Sequence, residues 1–265
     1  QEAKRLGISV LPPDLNRSGV DFTVEDADGA PAIRYALAAV RNVGAQAMGG
    51  IVMERDENGA FGSLAEFTRR VDPRTANRRQ IENLARAGAF DQLHENRAEV
   101  VGAVEVILQH ANAVAEERAG GQANLFGADA AGAERPFQLN HVELWSSAET
   151  LRHERESIGF YLSSHPMEAY SGVLAAKRVT PADQIVERVQ QGATSLLLAG
   201  TVDRKQERRS IRGNRFAYVT LSDTTNQVEV MVFSEKLAEA RDLLEPGKAV
   251  MITADVRQDN DAVRL

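Results

Sequence analysis

Ten of the fifteen residues from Ala119 to Ala133 are Ala or Gly. Such a run cannot bury enough apolar surface to offset the entropy of ordering it, so it reads as a flexible linker separating independently folded parts. A chain of 265 residues has room for two or three small domains at roughly 100 to 200 residues each. The 43% hydrophobic and 26% charged content is that of a soluble globular protein. No window approaches the roughly 18 consecutive apolar residues of a membrane helix. The opening QEAKRLGISV lacks the basic-then-apolar run of a signal peptide. The absence of Cys removes disulfide frameworks, thiolate zinc sites and cysteine nucleophiles, and points to a reducing, cytoplasmic setting. Beginning at Gln1 and stopping at Leu265 inside an apparent strand, the sequence reads as a fragment.

Residues 1–30 are punctuated by Pro12-Pro13 and by the turn formers Asp14, Asn16, Ser18 and Gly19, and read as the trailing edge of an upstream domain. A helical region is expected over 31–118. Ile33, Leu37 and Val40 predict a first helix from Pro31, and a small-residue helix follows Asn42-Val43-Gly44. Ser63 and Glu66 have capping-box spacing, Asn77 to Ala87 reads as a helix closed by Gly88, and Asn96 opens a long helix striped by Val100, Val104, Ile107 and Ala111. The linker takes 119–135, and 136–192 reads as a helical connecting segment. From 193 the period becomes two: strand, strand, strand, helix, strand and a cut-off last strand make the order of a five-stranded OB-type β-barrel. The fold class is therefore multidomain α + β, a helical region followed by an OB domain with its last strand incomplete.

Four segments carry chemistry. Asn42, Val43 and Gly44 form a tight turn that needs positive φ and opens a helix whose free amides suit a backbone phosphate, as in helix-hairpin-helix units. The other reading is a plain helical hairpin; Asn42 stands where Gly is usual, and Gly49-Gly50 weakens the second helix. Arg69, Arg70, Arg74, Arg78 and Arg79, opposed by Asp72 alone, give a local +4 on a chain of net charge −7, an asymmetry that places phosphate contacts or merely a solvated face. Gln122, Leu125 and Phe126 set one amide and two adjacent apolar residues in the linker, a form suited to insertion in a pocket of another protein. In the barrel, Arg204, Lys205, Arg208, Arg209, Arg212 and Arg215 against Glu207 give +5, expected mostly in the loop joining strands one and two. Alternation turns Ala217, Val219 and Leu221 inward and leaves Phe216 and Tyr218 outward as base-stacking candidates, or as ordinary surface aromatics. No phosphate-binding Gly-Lys loop, nucleophile elbow or zinc-protease motif is present, the five His are scattered, and no set of carboxylates converges for two-metal chemistry. The chain alone is expected to catalyse nothing.

The order helix-hairpin-helix, tethered Gln-x-x-Leu-Phe, OB resembles the middle-to-C-terminal part of the bacterial C-family replicative DNA polymerase alpha subunits. Carriers of the resemblance include Glu2 to Ile8 with Leu11 to Asp14, Ile33 to Gly44, Asn77 to Asp91, Glu154 to Gly159 with Tyr161 and His165-Pro166, and Val228 to Phe233. The resemblance implies that residues 1–30 end a fingers region and that the catalytic aspartates and their Mg2+ lie in an upstream palm, leaving this stretch no cofactor of its own. It assigns duplex DNA to the hairpin, the sliding clamp to Gln122, Leu125 and Phe126, and single-stranded template to the OB part. Other polymerase holoenzyme subunits are further expected partners, and a membrane is not. The alternatives are a stand-alone helix-hairpin-helix and OB nucleic-acid-binding module with no clamp role, a DNA ligase sharing these accessory domains, and a segment that only positions its neighbours.

Overall fold

The computed structural model describes residues 3, 6–119, 137–210, 213–259 and 262–265, and the chain divides into two compact units, 1–163 and 164–265.

The first unit opens with strands β1 (Ser9–Leu11), β2 (Thr23–Ala27) and β3 (Ala30–Arg34), in the order β1-β3-β2. β1 runs parallel to β3 and β2 antiparallel, so that Val10 and Val24 both stand opposite Ile33. The β2–β3 hairpin turns on Asp28 and Gly29, both at positive φ. The helix expected from Pro31 is therefore not formed. Ile33, Leu37 and Val40 have helical spacing, yet Ala30–Arg34 is claimed by strands on both sides, and only a single 3-10 turn, Leu37–Ala39, follows. Leu37 and Val40 still reach the core, fully buried.

Six helices follow: α1 (Ala45–Asn58), α2 (Leu64–Arg70), α3 (Arg78–Arg86), α4 (Arg97–Gly102), α5 (Val104–Ala119) and α6 (Ser147–Ile158). Ser63 Oγ accepts the Glu66 N–H, Asn77 and Gln80 cap each other reciprocally, and Asn96 accepts from the first turn of α4. The one long helix expected after Asn96 breaks at Ala103, where Gly102 lowers helix propensity and φ, ψ leave the helical region. Phe61, Phe67 and Phe90 stack edge to face, with centroids 5.3 and 5.1 Å apart, in a core shared with Leu15, Met48, Ile51, Leu84 and Ile107.

Past the Ala-Gly run the chain returns to this same core. Phe137 lies 5.3 Å from the His110 ring on α5. Glu99 accepts from the His141 ring at 2.9 Å, Asn96 Nδ2 donates to the Val142 carbonyl, and Ile158 of α6 is a core residue. The segment expected to connect domains over 136–192 is thus shared out, residues 137–163 building the first unit and 164–192 the second.

The second unit adds α7 (Ser171–Ala176), α8 (Ile185–Gln190), β4 (Ser195–Arg209), β5 (Arg215–Ser222), β6 (Gln227–Val232), α9 (Ser234–Ala240), β7 (Ala249–Asp255), β8 (Arg257–Asp259) and β9 (Ala262–Arg264). The antiparallel sheet has the order β6-β5-β4-β7, with β8-β9 as a separate ribbon. The expected fourth strand is β7, which ends at Asp255, and the Val256 N–H donates to the Thr194 carbonyl. The Met231 N–H donates to the Leu265 carbonyl, so the end of the ribbon lies against β6. Leu196, Leu198, Val202, Ala217, Val219, Leu221 and Val230 form the core with Ile185 and Val189 of α8 and Leu237 of α9. Buried His165 takes the Met167 N–H on Nδ1, which leaves Nε2 to donate to Ser222 Oγ at 3.0 Å.

Candidate nucleic-acid interface

Two surfaces gather the residues singled out in the sequence. On the first unit, Asn42 sits at φ 61°, in the left-handed region, so the turn has the backbone its sequence required, with Asn in a place Gly fills without strain. Gly44 is the N-cap of α1 and supplies no side-chain cap. Asn42, Gly44, Ala45 and Gln46 are exposed and Val43 is buried beneath them. The first residues of α1, at the positive end of a 14-residue helix, are thus at the surface from Gly44 to Gln46, while Ala47 and Met48 turn into the core. Gly49 and Gly50 lie within this helix, and no neighbouring atom crowds the Cβ position of Gly49; the structure gives no packing reason for that residue.

The basic cluster comes close to this turn through α3. A Cβ built on Gly44 would stand 3.4 Å from Gln80 Nε2, and one on Gly50 would stand 3.5 Å from Thr75. The stretch Arg74 to Arg79 therefore flanks the hairpin, but its arginines are not equivalent. Arg78 is engaged by Glu82 at 2.7 Å and by Glu105, and these hydrogen bonds, Glu82 first, raise its pKa further. Arg74 and Arg79 are exposed and have no ion pair among the described residues. Arg70 proves structural: it bonds Glu54 and Glu66 and lies 4.5 Å over the Phe61 ring. Sequence counting could not separate it from the others, because its partners sit 4 and 16 residues away.

On the second unit the basic residues are placed differently from expectation. Arg204, Lys205, Arg208 and Arg209 belong to β4, which continues to Arg209, and β5 begins at Arg215. A bulge at Asp203 shifts the register from Val202 opposite Leu221 to Arg204 opposite Thr220. Strand pairing then continues through polar residues, which the hydrophobic alternation did not reveal. Arg208 stands opposite Phe216 and Gln206 opposite Tyr218. Phe216 and Tyr218 lie edge to face at 5.5 Å, half-exposed, with the Arg208 guanidinium 5.3 Å over the Tyr218 ring. Arg208, Arg209 and Arg215 are exposed. Met231 of β6 stands opposite Tyr218 and extends the same face, a position that strand alternation alone did not mark. Lys205 is spent internally: its ammonium bonds Glu245, lowering that carboxyl's pKa, and the Arg241 carbonyl, while Arg241 holds Glu207.

Arg212 lies outside the described residues, as do Gln122, Leu125 and Phe126. Among the described residues, no group of three or more His, Asp or Glu is gathered to hold a metal ion, and no helix is long and apolar enough to cross a membrane.

Comparison with known proteins finds a family for a stretch of each unit. Residues 7–100 match the helix-hairpin-helix motif family and residues 196–265 the OB-fold nucleic acid binding domain family. The whole chain aligns with the DNA polymerase III alpha subunit of Caulobacter vibrioides at 44% identity, covering 23% of that protein. The Thermus aquaticus and Pseudomonas aeruginosa alpha subunits align with 98% of the chain at 34% and 32% identity, covering 21% and 23% of their lengths. The chain thus spans less than a quarter of these curated relatives.

Proposed function

From the premise that the chain is homologous from end to end with bacterial DNA polymerase III alpha subunits, we propose that it is a non-catalytic region of a replicative polymerase, binding template-primer DNA and docking on the sliding clamp. The observation that carries the DNA limb is the face on β4 and β5, where the Phe216 and Tyr218 rings and the Arg208 guanidinium lie beside one another at the surface. Aromatic faces accept any base, and cations neutralise phosphate without reading sequence, which fits a template strand of arbitrary composition. The first unit offers duplex DNA the exposed start of α1, with Arg74 and Arg79 alongside.

The clamp limb rests on the form of Gln122-Ala123-Asn124-Leu125-Phe126. A weak peptide contact to a ring that encircles DNA is strengthened when the same chain holds that DNA, because each contact raises the effective concentration of the other. Surface plasmon resonance of the chain and of its Leu125→Ala/Phe126→Ala form on immobilised sliding clamp tests this limb. Binding that disappears in the double variant supports docking; equal binding by both forms, or none by either, overturns it.

A further inference from the structure

The Asn42-Val43-Gly44 turn runs from the 3-10 turn Leu37–Ala39 into α1, so the first helical arm expected of the hairpin is absent, and the turn is held from outside its own flanks. Asn42 sits at φ 61°, which Asn tolerates better than most L-residues but less freely than Gly, and the turn has a further support from outside. The adjoining residue, Arg41, supplies that contact. Its main-chain N–H donates to the Ser157 carbonyl at 2.7 Å and its Nη1 to the Glu156 carbonyl at 3.2 Å. Both acceptors belong to the last turn of α6, where helix carbonyls have no intrahelical donor and the dipole's negative end favours a cation. The helix ends there because Gly159 takes φ 108° as its C-cap. A Cβ at Gly159 would come within 2.9 Å of Arg41 Nη2, so the glycine serves both the cap and the seat of the guanidinium.

The chain just past Gly159 is fixed as well. Glu154, 1% exposed, turns its carboxylate to the N–H groups of Leu162 and Ser163, the latter at 2.9 Å. Ile158 is packed in the helical core. The end of α6 is therefore a rigid shelf, and it lies outside the stretch matching the helix-hairpin-helix family, residues 7–100.

We propose that the C-terminal turn of α6, through Glu156, Ser157 and Gly159, is a positioning element that seats Arg41 and thereby holds the Asn42-Val43-Gly44 turn in the attitude that receives duplex DNA. The DNA part of this statement rests on the proposed function; the seating of the hairpin does not. Arg41 is a positioning residue here, and its cation is directed to helix carbonyls.

The test uses the full chain and the variants Gly159→Ala, Arg41→Ala and their double. Gly159→Ala leaves every charge in place and displaces the guanidinium. Duplex affinity by fluorescence anisotropy is expected to fall about tenfold in each single variant, as for loss of one charge-assisted hydrogen bond, with single-strand affinity unchanged. The double variant is expected to lose less than the sum of the two single losses, since the seating contact is common to both, while Gly159→Ala alone also strains the cap at φ 108°. Hydrogen exchange of the Arg41 and Val43 amides is expected to quicken in both single variants. Unaltered exchange at these amides overturns the seating. Full duplex affinity in Gly159→Ala with a loss in Arg41→Ala would make Arg41 a direct phosphate contact and overturn the positioning role. A wild-type chain without duplex affinity would overturn the DNA reading, and exchange alone would then decide the seating.

Discussion

The exposed stretch at Gly44 to Gln46 is the start of a helix, bare of any charged side chain, whereas the face on β4 and β5 carries rings and a guanidinium group standing on a sheet. The first surface depends on where the backbone lies, and its side chains matter chiefly through the conformation they permit. The second surface depends on side-chain chemistry, with the backbone tied into ladder hydrogen bonds. Damage to the two should therefore look different: the first surface fails when its supports move, the ring surface when its own residues are truncated.

The largest effect that would break the parallel between the units is expected for Glu154→Ala. It removes two hydrogen bonds that the buried carboxylate accepts from the half-buried Leu162 and the exposed Ser163, which costs about 3 kcal/mol at the upper worth of hydrogen bonds to a charged group. Urea unfolding should show the first unit melting earlier while the transition of the second stays in place; a single transition shifted as a whole would contradict two independent bodies. Next, Tyr218→Ala should weaken single-strand binding by about 1–3 kcal/mol, the usual worth of one stacked base. Anisotropy with a single-stranded and a duplex probe would check this, and equal losses on both would erase the division proposed between the surfaces. Asn42→Gly offers the converse. Removing that side chain should leave duplex affinity intact, while Asn42→Ala should lower stability by about 1 kcal/mol, because Ala has no local hydrogen bond with which to tolerate φ 61°. A duplex affinity that vanished with Asn42→Gly would make the turn a side-chain site.

The smallest effect concerns pH. Hydrogen bonds from His94 and His141, then the Val142 N–H, hold the Glu99 carboxyl below its ordinary value of 4.5. A carboxyl shifted down in the folded state stabilises above its ordinary pKa, and that contribution is lost as pH falls through the lowered value. Acid titration followed by exchange at the Val142 amide should reveal release of this clasp below about pH 4.5, and Glu99→Gln should flatten the dependence.

Local signals were read correctly where local chemistry decides structure. The Ser63 cap, the helix that follows Asn77, and the inward Ala217, Val219 and Leu221 all stand as their spacing indicated. The failures arose where distant segments decide. β3 exists because β1 and β2 flank it, and neither is visible in the Ile33, Leu37, Val40 spacing. β4 continues through Arg204 to Arg209 because β5 pairs with it, although nothing apolar marks that stretch on the outer face. Similarly, five arginines looked alike in sequence until Glu54, Glu66 and the Phe61 ring claimed Arg70. Gly159 belongs to a stretch that carries the resemblance, but only the fold shows that it caps α6 beside Arg41.

The return of the chain at Phe137 and His141 to the helices it left at Ala119 bears on how such a sequence can drift. Both ends of the intervening residues 120–136 are moored to one body, so changing their number need not relocate any folded part. Loop-closure entropy rises only with the logarithm of length, about 0.6 kcal/mol for a doubling. A change in the number of residues between these moorings therefore costs the first unit little, and that number can drift over generations while the surrounding architecture stays the same.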